Sequence, residues 1–93
     1  MADLLDADTV RRALEGRDGW TGGGDGITRT YRFRDFVTAM GFLQRVALLS
    51  ERAGHHPDVE LSYDTVTLTI RSHAAGGVTR ACLDLADSVD EYA

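Results

Sequence analysis

Glu51-Arg52-Ala53-Gly54-His55-His56-Pro57 is the stretch around which the rest of this 93-residue chain is organised. An apolar helical pattern ends within it, because glycine is the preferred residue at the left-handed position that closes a helix. Proline cannot continue a helix, and two adjacent histidines stand between the glycine and the proline. The stretch therefore predicts a junction at which a long helix gives way to a strand and two imidazoles are presented.

The predicted long helix begins after Asp35, a credible N-cap, and runs to about Ala53. Apolar residues recur in it at helical spacing, which predicts one core-facing stripe made of Phe36, Ala39, Met40, Leu43, Val46 and Ala47. The helix has further apolar side chains, more than one sheet needs: Val37, Phe42, Leu48 and Leu49. A subunit contact explains this surplus most economically, and a thicker core is the alternative.

Two strands are predicted after the junction, Val59 to Tyr63 and Val66 to Ser72, joined by a two-residue loop at 64–65. In that register Leu61 faces Leu68, every apolar side chain falls on one face, and every polar one falls on the other. If the two strands were paired one residue out of this register, apolar side chains of one strand would face polar side chains of the other. The pattern therefore predicts an antiparallel hairpin with one buried face.

The same register predicts which histidines meet. Asp58 opposes Arg71, and two residues further out His56 opposes His73. His55 should point to the other side of the chain if the backbone there is extended, unless the corner made by the glycine and the proline turns it round.

Shorter elements complete the pattern. A period-2 alternation predicts a strand over Ile27 to Phe33, and capping residues predict a helix over Asp6 to Glu15 and a final helix opened by Thr79. Asp18 to Trp20 is predicted as a short strand, followed by a glycine-rich link over 21–26. That link has no Lys-Ser/Thr pair and leads into a strand, so it predicts a hairpin loop in preference to a phosphate cradle.

Composition limits the classes of function. The chain is 43% hydrophobic and 27% charged, as expected of one globular domain over residues 1–93, and its net charge of -5 argues against nucleic-acid binding. No apolar run is long enough to span a membrane, and the acidic N-terminus does not fit a signal peptide, so we expect a cytoplasmic protein. The single cysteine, Cys82, excludes an intrachain disulfide.

The three histidines are predicted to lie near the open end of this hairpin, and imidazoles are general acid and base groups that titrate near neutrality. Glu51 lies in the last helical turn, close enough to orient or charge-stabilise an imidazole. A metal site formed by the histidines with Cys82 is an alternative, but consecutive strand residues diverge and the spacing fits no standard zinc pattern. Any one histidine taken alone could also be a solvated strand-end residue.

The residues resemble the pterin-4a-carbinolamine dehydratase family, also called the dimerisation cofactor family. The signature is Glu51, three residues, His55-His56-Pro57, five residues, Tyr63, nine residues, His73 and a downstream aspartate. Further positions agree with the family over about residues 8–92: Trp20, the segment 31–36, Gly41-Phe42, Arg45-Val46-Ala47 and Gly76-Gly77.

The resemblance implies an α+β fold: a four-stranded antiparallel sheet with helices packed on one face, and the long helix between strands 2 and 3. It also implies a homodimer or homotetramer that dehydrates 4a-hydroxytetrahydropterin to quinonoid dihydropterin in tetrahydropterin recycling, with no metal and no organic cofactor. The implied catalytic residues are His55, His56 and His73, supported by Glu51, Trp20 and Cys82. The implied pterin contacts are Gly54, His55, His56, Arg71, Ser72, His73 and Ala74, with Trp20 at the edge of the site.

One position departs from the family pattern. Cys82 stands where the family usually has a functional aspartate, and Asp84 lies ~200° further round the helix, so it should not point the same way. This departure supports an alternative function, a catalytically weak or inactive family member that serves as a dimerisation or pterin-binding module.

Overall fold

A computed structural model describes residues 3–93; Met1 and Ala2, part of the predicted domain and of the acidic N-terminus, lie outside the described residues. The elements in chain order are α1 (Ala7–Glu15), β1 (Thr21–Gly23), β2 (Gly26–Arg32), α2 (Phe36–Ala53), β3 (Asp58–Ser62), β4 (Thr65–Ile70) and α3 (Arg80–Asp90). The strands form one antiparallel sheet in the order β1-β2-β4-β3. The α+β prediction is confirmed, with α2 between the second and third strands. In the part of the chain described, no helix combines the length and apolar content needed to cross a bilayer.

The sheet has one apolar and one polar face, because alternate residues of a strand point to opposite sides. Cross-strand threonine pairs occupy the polar face, with Thr28 and Thr69 hydroxyls 3.2 Å apart and Thr30 and Thr67 hydroxyls 3.1 Å apart. The opposite face carries the buried side chains that join the residues of the helices in one core: Ile27, Tyr31, Val66, Leu68 and Ile70.

Capping places the helix ends where the sequence predicted them. The carboxylate of Asp6 accepts a 2.8 Å hydrogen bond from Thr9 N–H, and that of Asp35 accepts one of the same length from Thr38 N–H. Gly54 closes α2 in the left-handed conformation with φ of 64°. These short-range signals act within one turn and do not depend on the rest of the fold.

The predicted core stripe of α2 is partly wrong. The buried residues of the helix are Ala39, Phe42, Val46 and Ser50, whereas Phe36 and Met40 remain 47% and 40% exposed. The Phe42 ring packs 4.7 Å from that of Tyr31 on β2, centroid to centroid, and this aromatic contact selects the face. Helical spacing alone could not make the choice, since two neighbouring stripes of α2 are both apolar.

The first strand was also mispredicted. Asp18 to Trp20 is a turn, with Gly19 at φ of 87°, and the strand is the next segment, Thr21–Gly23. Thr21 pairs with Thr28, so half of the glycine-rich link forms β1, residues 24–25 form the hairpin loop and Gly26 begins β2. The hairpin interpretation of the glycines is therefore correct, and the position of the strand is not.

The β3–β4 register differs from the predicted one by two residues. Leu61 pairs with Val66 and Asp58 with Thr69, so the loop is Tyr63-Asp64, with Tyr63 at φ of 54°. Side chains alternate with period 2, so a shift of two keeps every apolar residue on the same face and the pattern cannot detect it. The predicted pair of Asp58 with Arg71 is wrong, because Asp58 pairs with Thr69, and this register excludes His56 opposite His73 as well.

Candidate active site

The end of α2 is built by a short-range motif that orients both histidines. Gly54 N–H donates to the carbonyl of Glu51 at 3.3 Å, and His55 N–H donates to that of Ser50 at 3.1 Å. These two bonds are the Schellman pattern, which requires a left-handed residue at the glycine. The chain therefore leaves the helix in one defined direction at His55.

His55 turns toward α3. Its Nε2 lies 3.3 Å from Sγ of Cys82, and the ring borders a cleft of about 330 Å³ between α2 and α3, together with Arg52 and Asp84. Burial lowers the pKa of His55, and positive charge on His56 and His73 lowers it further. His56 and His73 thus act electrostatically on His55, whose lowered pKa favours its neutral form.

His56 points to the other side of the end of α2. It borders a separate cleft of about 230 Å³ with Pro57 and Val59, and its Nε2 contacts the Glu51 carboxylate. The divergence of the two consecutive histidines agrees with the sequence prediction. The imidazole that Glu51 contacts is that of His56. The His56 and Glu51 side chains are 60% and 76% exposed, so this pair contributes little to stability.

His73 lies on a compact turn between β4 and α3. Ser72 N–H donates to the Gly77 carbonyl at 2.7 Å, Gly76 N–H donates back to Ser72 at 2.8 Å, and the Ser72 hydroxyl accepts from Ala75 N–H at 3.1 Å. His73 is exposed on this turn, as is Ala74. A Cβ at Gly77 would lie 2.4 Å from the Gly24 carbonyl oxygen, so glycine is needed for the turn to pack against the β1–β2 loop.

Arg71 leaves β4 on the threonine face of the sheet. Its Cβ would lie 3.7 Å from a Cβ built at Gly26, next to Thr69. Among the described residues its buried Nε has no hydrogen-bond partner. A desolvated guanidinium nitrogen without an acceptor is costly.

Cys82 is fully buried in the first turn of α3. Its sulfur lies 3.4 Å from Thr79 N and 3.6 Å from Thr79 Oγ1, in addition to His55. Asp84 is exposed and pairs with Arg80 at 3.3 Å, so its carboxylate does not take the place of the Cys82 side chain. Sequence reasoning missed Thr79 as a partner of the sulfur, although the Thr-x-x-Cys spacing of a capping box is its local signal.

Trp20 is held at the other end of α3. It is buried, and its Nε1 donates a 2.8 Å hydrogen bond to Asp90, the last residue of that helix. Eight residues separate Asp90 from Cys82, a rise of about 12 Å along the axis. The structure therefore does not bring Trp20 to the His55–Cys82 contact.

The metal alternative finds no geometric support. Within residues 3–93 no three His, Cys, Asp or Glu side chains converge as a metal site would require. The sulfur that would be the fourth ligand is already shared between His55 and Thr79.

The family description "Pterin 4 alpha carbinolamine dehydratase" matches residues 3–92 of the chain. A relative from Nocardia farcinica is 43% identical over 98% of this chain and 96% of its own, and one from Thermomicrobium roseum is 44% identical over 100% and 99%. Both are provisionally named pterin-4-alpha-carbinolamine dehydratase. The similarity thus extends over essentially the full length of both relatives.

Solved structures agree with this match. A transcriptional coactivator/pterin dehydratase from Brucella melitensis superposes with a TM-score of 0.92 at 33% identity, over 98% of this chain and 99% of its own. A pterin dehydratase-like protein described as a RuBisCO assembly factor in the alpha-carboxysome superposes with a TM-score of 0.65 at 24% identity, over 78% of this chain and 84% of its own. The second likeness concerns the fold alone.

Proposed function

This chain belongs to the pterin 4 alpha carbinolamine dehydratase family, and we propose that it dehydrates a 4a-hydroxytetrahydropterin to the quinonoid dihydropterin and water. In the cell this reaction would serve tetrahydropterin recycling. Neither a metal nor an organic cofactor is required by the chemistry, because proton transfers alone convert substrate to product.

The observation that carries the proposal is the contrast between the two adjacent histidines. Burial lowers the pKa of His55, which favours a neutral imidazole at pH 7, whereas His56 stands against the Glu51 carboxylate and forms an ion pair when protonated. A neutral imidazole accepts a proton and an imidazolium donates one. One base and one acid are the complement that dehydration needs.

The reaction balances with these groups. The base takes the proton of N5, the electron pair of that N–H bond forms the C4a=N5 double bond, and the C4a–O bond breaks. The acid protonates the departing hydroxyl, so water leaves. Each such transfer typically contributes ~100 to 10,000-fold. We assign the base to His55 and the acid to His56 and His73; because His55 and His56 border separate clefts, the pterin in this proposal bridges the end of α2.

The clefts and the Ser72–Gly77 turn supply the binding surface in this proposal. The cleft beside His55, about 330 Å³, is within the size range of small-molecule sites. Arg71, which directly precedes this turn, is the charged residue among the predicted substrate contacts. The backbone of residues 72–74 and of Gly54 completes the predicted contacts.

The oligomeric state and the compartment belong to the proposal as well. Val37 and Leu48 of α2 are 78% and 70% exposed, so α2 carries apolar side chains that the core of the monomer does not bury. We therefore propose a homodimer or homotetramer with α2 in an interface. A cytoplasmic location stays a prediction.

Turnover of chemically generated carbinolamine tests the function. We expect purified, folded protein to exceed the buffer rate, and His55→Ala, His56→Ala and His73→Ala each to lower kcat by at least about 10-fold. Arg11→Ala is the matched control, because this exposed α1 residue forms an ion pair with Asp8, away from the histidines. A wild-type rate equal to the buffer rate would sink the proposal.

The second candidate is a non-catalytic dimerisation or pterin-binding module. Cys82 in place of the family aspartate and the exposed apolar surface of α2 favour it. Binding of a pterin analogue without turnover, combined with a large gain in rate for Cys82→Asp, would support this candidate over the dehydratase.

A further inference from the structure

Three polar groups converge on the sulfur of Cys82. His55 Nε2 lies 3.3 Å from it, Thr79 N lies 3.4 Å away and Thr79 Oγ1 lies 3.6 Å away. The cysteine is fully buried and belongs to the first turn of α3, so packing holds the sulfur in place. The contact thereby ties α3 to the residue that follows the end of α2.

Two arrangements of the hydrogens satisfy the contacts of the sulfur, because the sulfur or Thr79 Oγ1 can donate in one contact and the role of His55 Nε2 depends on its tautomer. The backbone N–H of Thr79 can only donate, so the sulfur is an acceptor there. In one arrangement the thiol donates to His55 Nε2 and Thr79 Oγ1 donates to the sulfur; in the other the thiol donates to Thr79 Oγ1. A lone pair of the sulfur is then left to accept a hydrogen bond from His55. In this arrangement Nε2 carries the proton of the neutral ring, and the lone pair of Nδ1 is free.

We propose that Cys82 is a positioning residue of the dehydratase site: its sulfur accepts the Nε2–H of His55 and leaves Nδ1 unprotonated to take the N5 proton of the carbinolamine. This inference rests on the proposed function. The N5–H proton passes to Nδ1 while its electron pair forms the C4a=N5 bond and water leaves with a proton from the acid. Cys82 itself undergoes no covalent or redox change.

The side chain at position 82 also bears on the charge state of His55. The titratable or charged groups around that ring are Arg52 on α2, His56 beside it, His73 on the following turn, and Cys82 and Asp84 on α3. Burial and the neighbouring histidines lower the pKa of His55. A carboxylate at position 82 would oppose that effect by stabilising the imidazolium, whereas a thiol preserves the neutral base.

Nitrogen-15 NMR of the histidine rings between about pH 5 and pH 8 tests the arrangement. We expect the Nε2–H tautomer of His55 in wild type and in Cys82→Ser, and a mixture of tautomers in Cys82→Ala. In Cys82→Asp the pKa of His55 should rise by about one pH unit. His56 and His73 are internal controls in the same spectra. An Nδ1–H tautomer in wild type would overturn the inference, as would an unchanged tautomer in Cys82→Ala.

Kinetics supply the second readout. We expect Cys82→Ala to lower kcat about 10-fold with little change in KM, as is typical for partners that orient a functional histidine, and Cys82→Ser to restore most of the rate. Circular dichroism establishes that each variant folds, and Cys82→Ser keeps the test valid if the buried aspartate prevents folding. Equal rates in Cys82→Ala and wild type would contradict the positioning role.

The two proposals fail separately. The NMR measurement needs no turnover, so a rate equal to buffer together with the Nε2–H tautomer would remove the dehydratase function and keep the geometry. An active enzyme with the Nδ1–H tautomer would remove the role of Cys82 and keep the dehydratase function.

Discussion

The carboxylate of Asp90 accepts a 2.8 Å hydrogen bond from Nε1 of Trp20, which lies seventy residues earlier in the chain. The same carboxylate accepts from the Tyr31 hydroxyl at 2.5 Å and from Arg29 at 3.0 Å. Burial and the adjacent carboxylate raise the pKa of Tyr31, so its hydroxyl stays a donor. This cluster joins the end of α3 to β2 and to the turn before β1.

Removing that acceptor should destabilise the protein. We expect Asp90→Ala to lower the free energy of unfolding by about 1 to 3 kcal/mol, because the Trp20 and Tyr31 donors lose their partner inside the protein. Asp87→Ala is the matched control on the same helix, since its ion pair with Arg17 is more exposed and should contribute less than about 1 kcal/mol. Urea denaturation measures both, and equal losses would contradict this account.

Glycine should be required at position 54 because of its left-handed backbone conformation, and not because a side chain would clash there. A Cβ there meets no atom within 4 Å, yet φ is 64°, so Gly54→Ala should cost about 1 to 2 kcal/mol and reduce dehydratase activity by redirecting His55. Gly41→Ala is the control: it lies within α2, its Cβ also meets nothing, and it should stabilise by about 0.5 to 1 kcal/mol. The same sign of change in both variants would contradict the assignment.

The stability of the protein should depend on pH through His55. Its folded pKa lies below the ordinary 6.5, so the unfolded state binds more protons as pH falls from about 7 to 5. Stability is therefore lost as pH falls through the window between the unfolded and the folded pKa. Urea denaturation of wild type and His55→Gln measures the difference, and we expect a weaker pH dependence in the variant. Parallel curves for the two proteins would refute the contribution of His55.

Gly77 should be required for close packing of the turn that carries His73. Gly77→Ala places a Cβ 2.4 Å from the Gly24 carbonyl oxygen, and relieving that overlap should cost about 1 to 3 kcal/mol. Gly16→Ala has open space around the added atom and is the control. Thermal unfolding compares the two variants, and turnover reports on the position of His73. Wild-type stability of Gly77→Ala would mean that the loops separate without cost.

Much of the fold followed from local signals. Asp6, Asp35 and Gly54 marked helix ends because a cap satisfies orphan backbone groups within one turn. Period-2 alternation predicted the apolar face of the sheet but not the register, because a shift of two residues conserves the pattern. The face of α2 was mispredicted for a similar reason, since helical spacing did not distinguish its two neighbouring apolar stripes.

By itself, then, the sequence determined the α+β class, the helix ends, the divergence of His55 and His56, and the family to which the chain is similar. These properties depend on neighbours within a few residues or on a pattern of residue types. Tertiary structure alone decided that Cys82, twenty-seven residues after His55, supplies its partner, and that residues of α3 complete the cleft beside His55. Such contacts depend on how elements pack at a distance along the chain, which spacing does not encode.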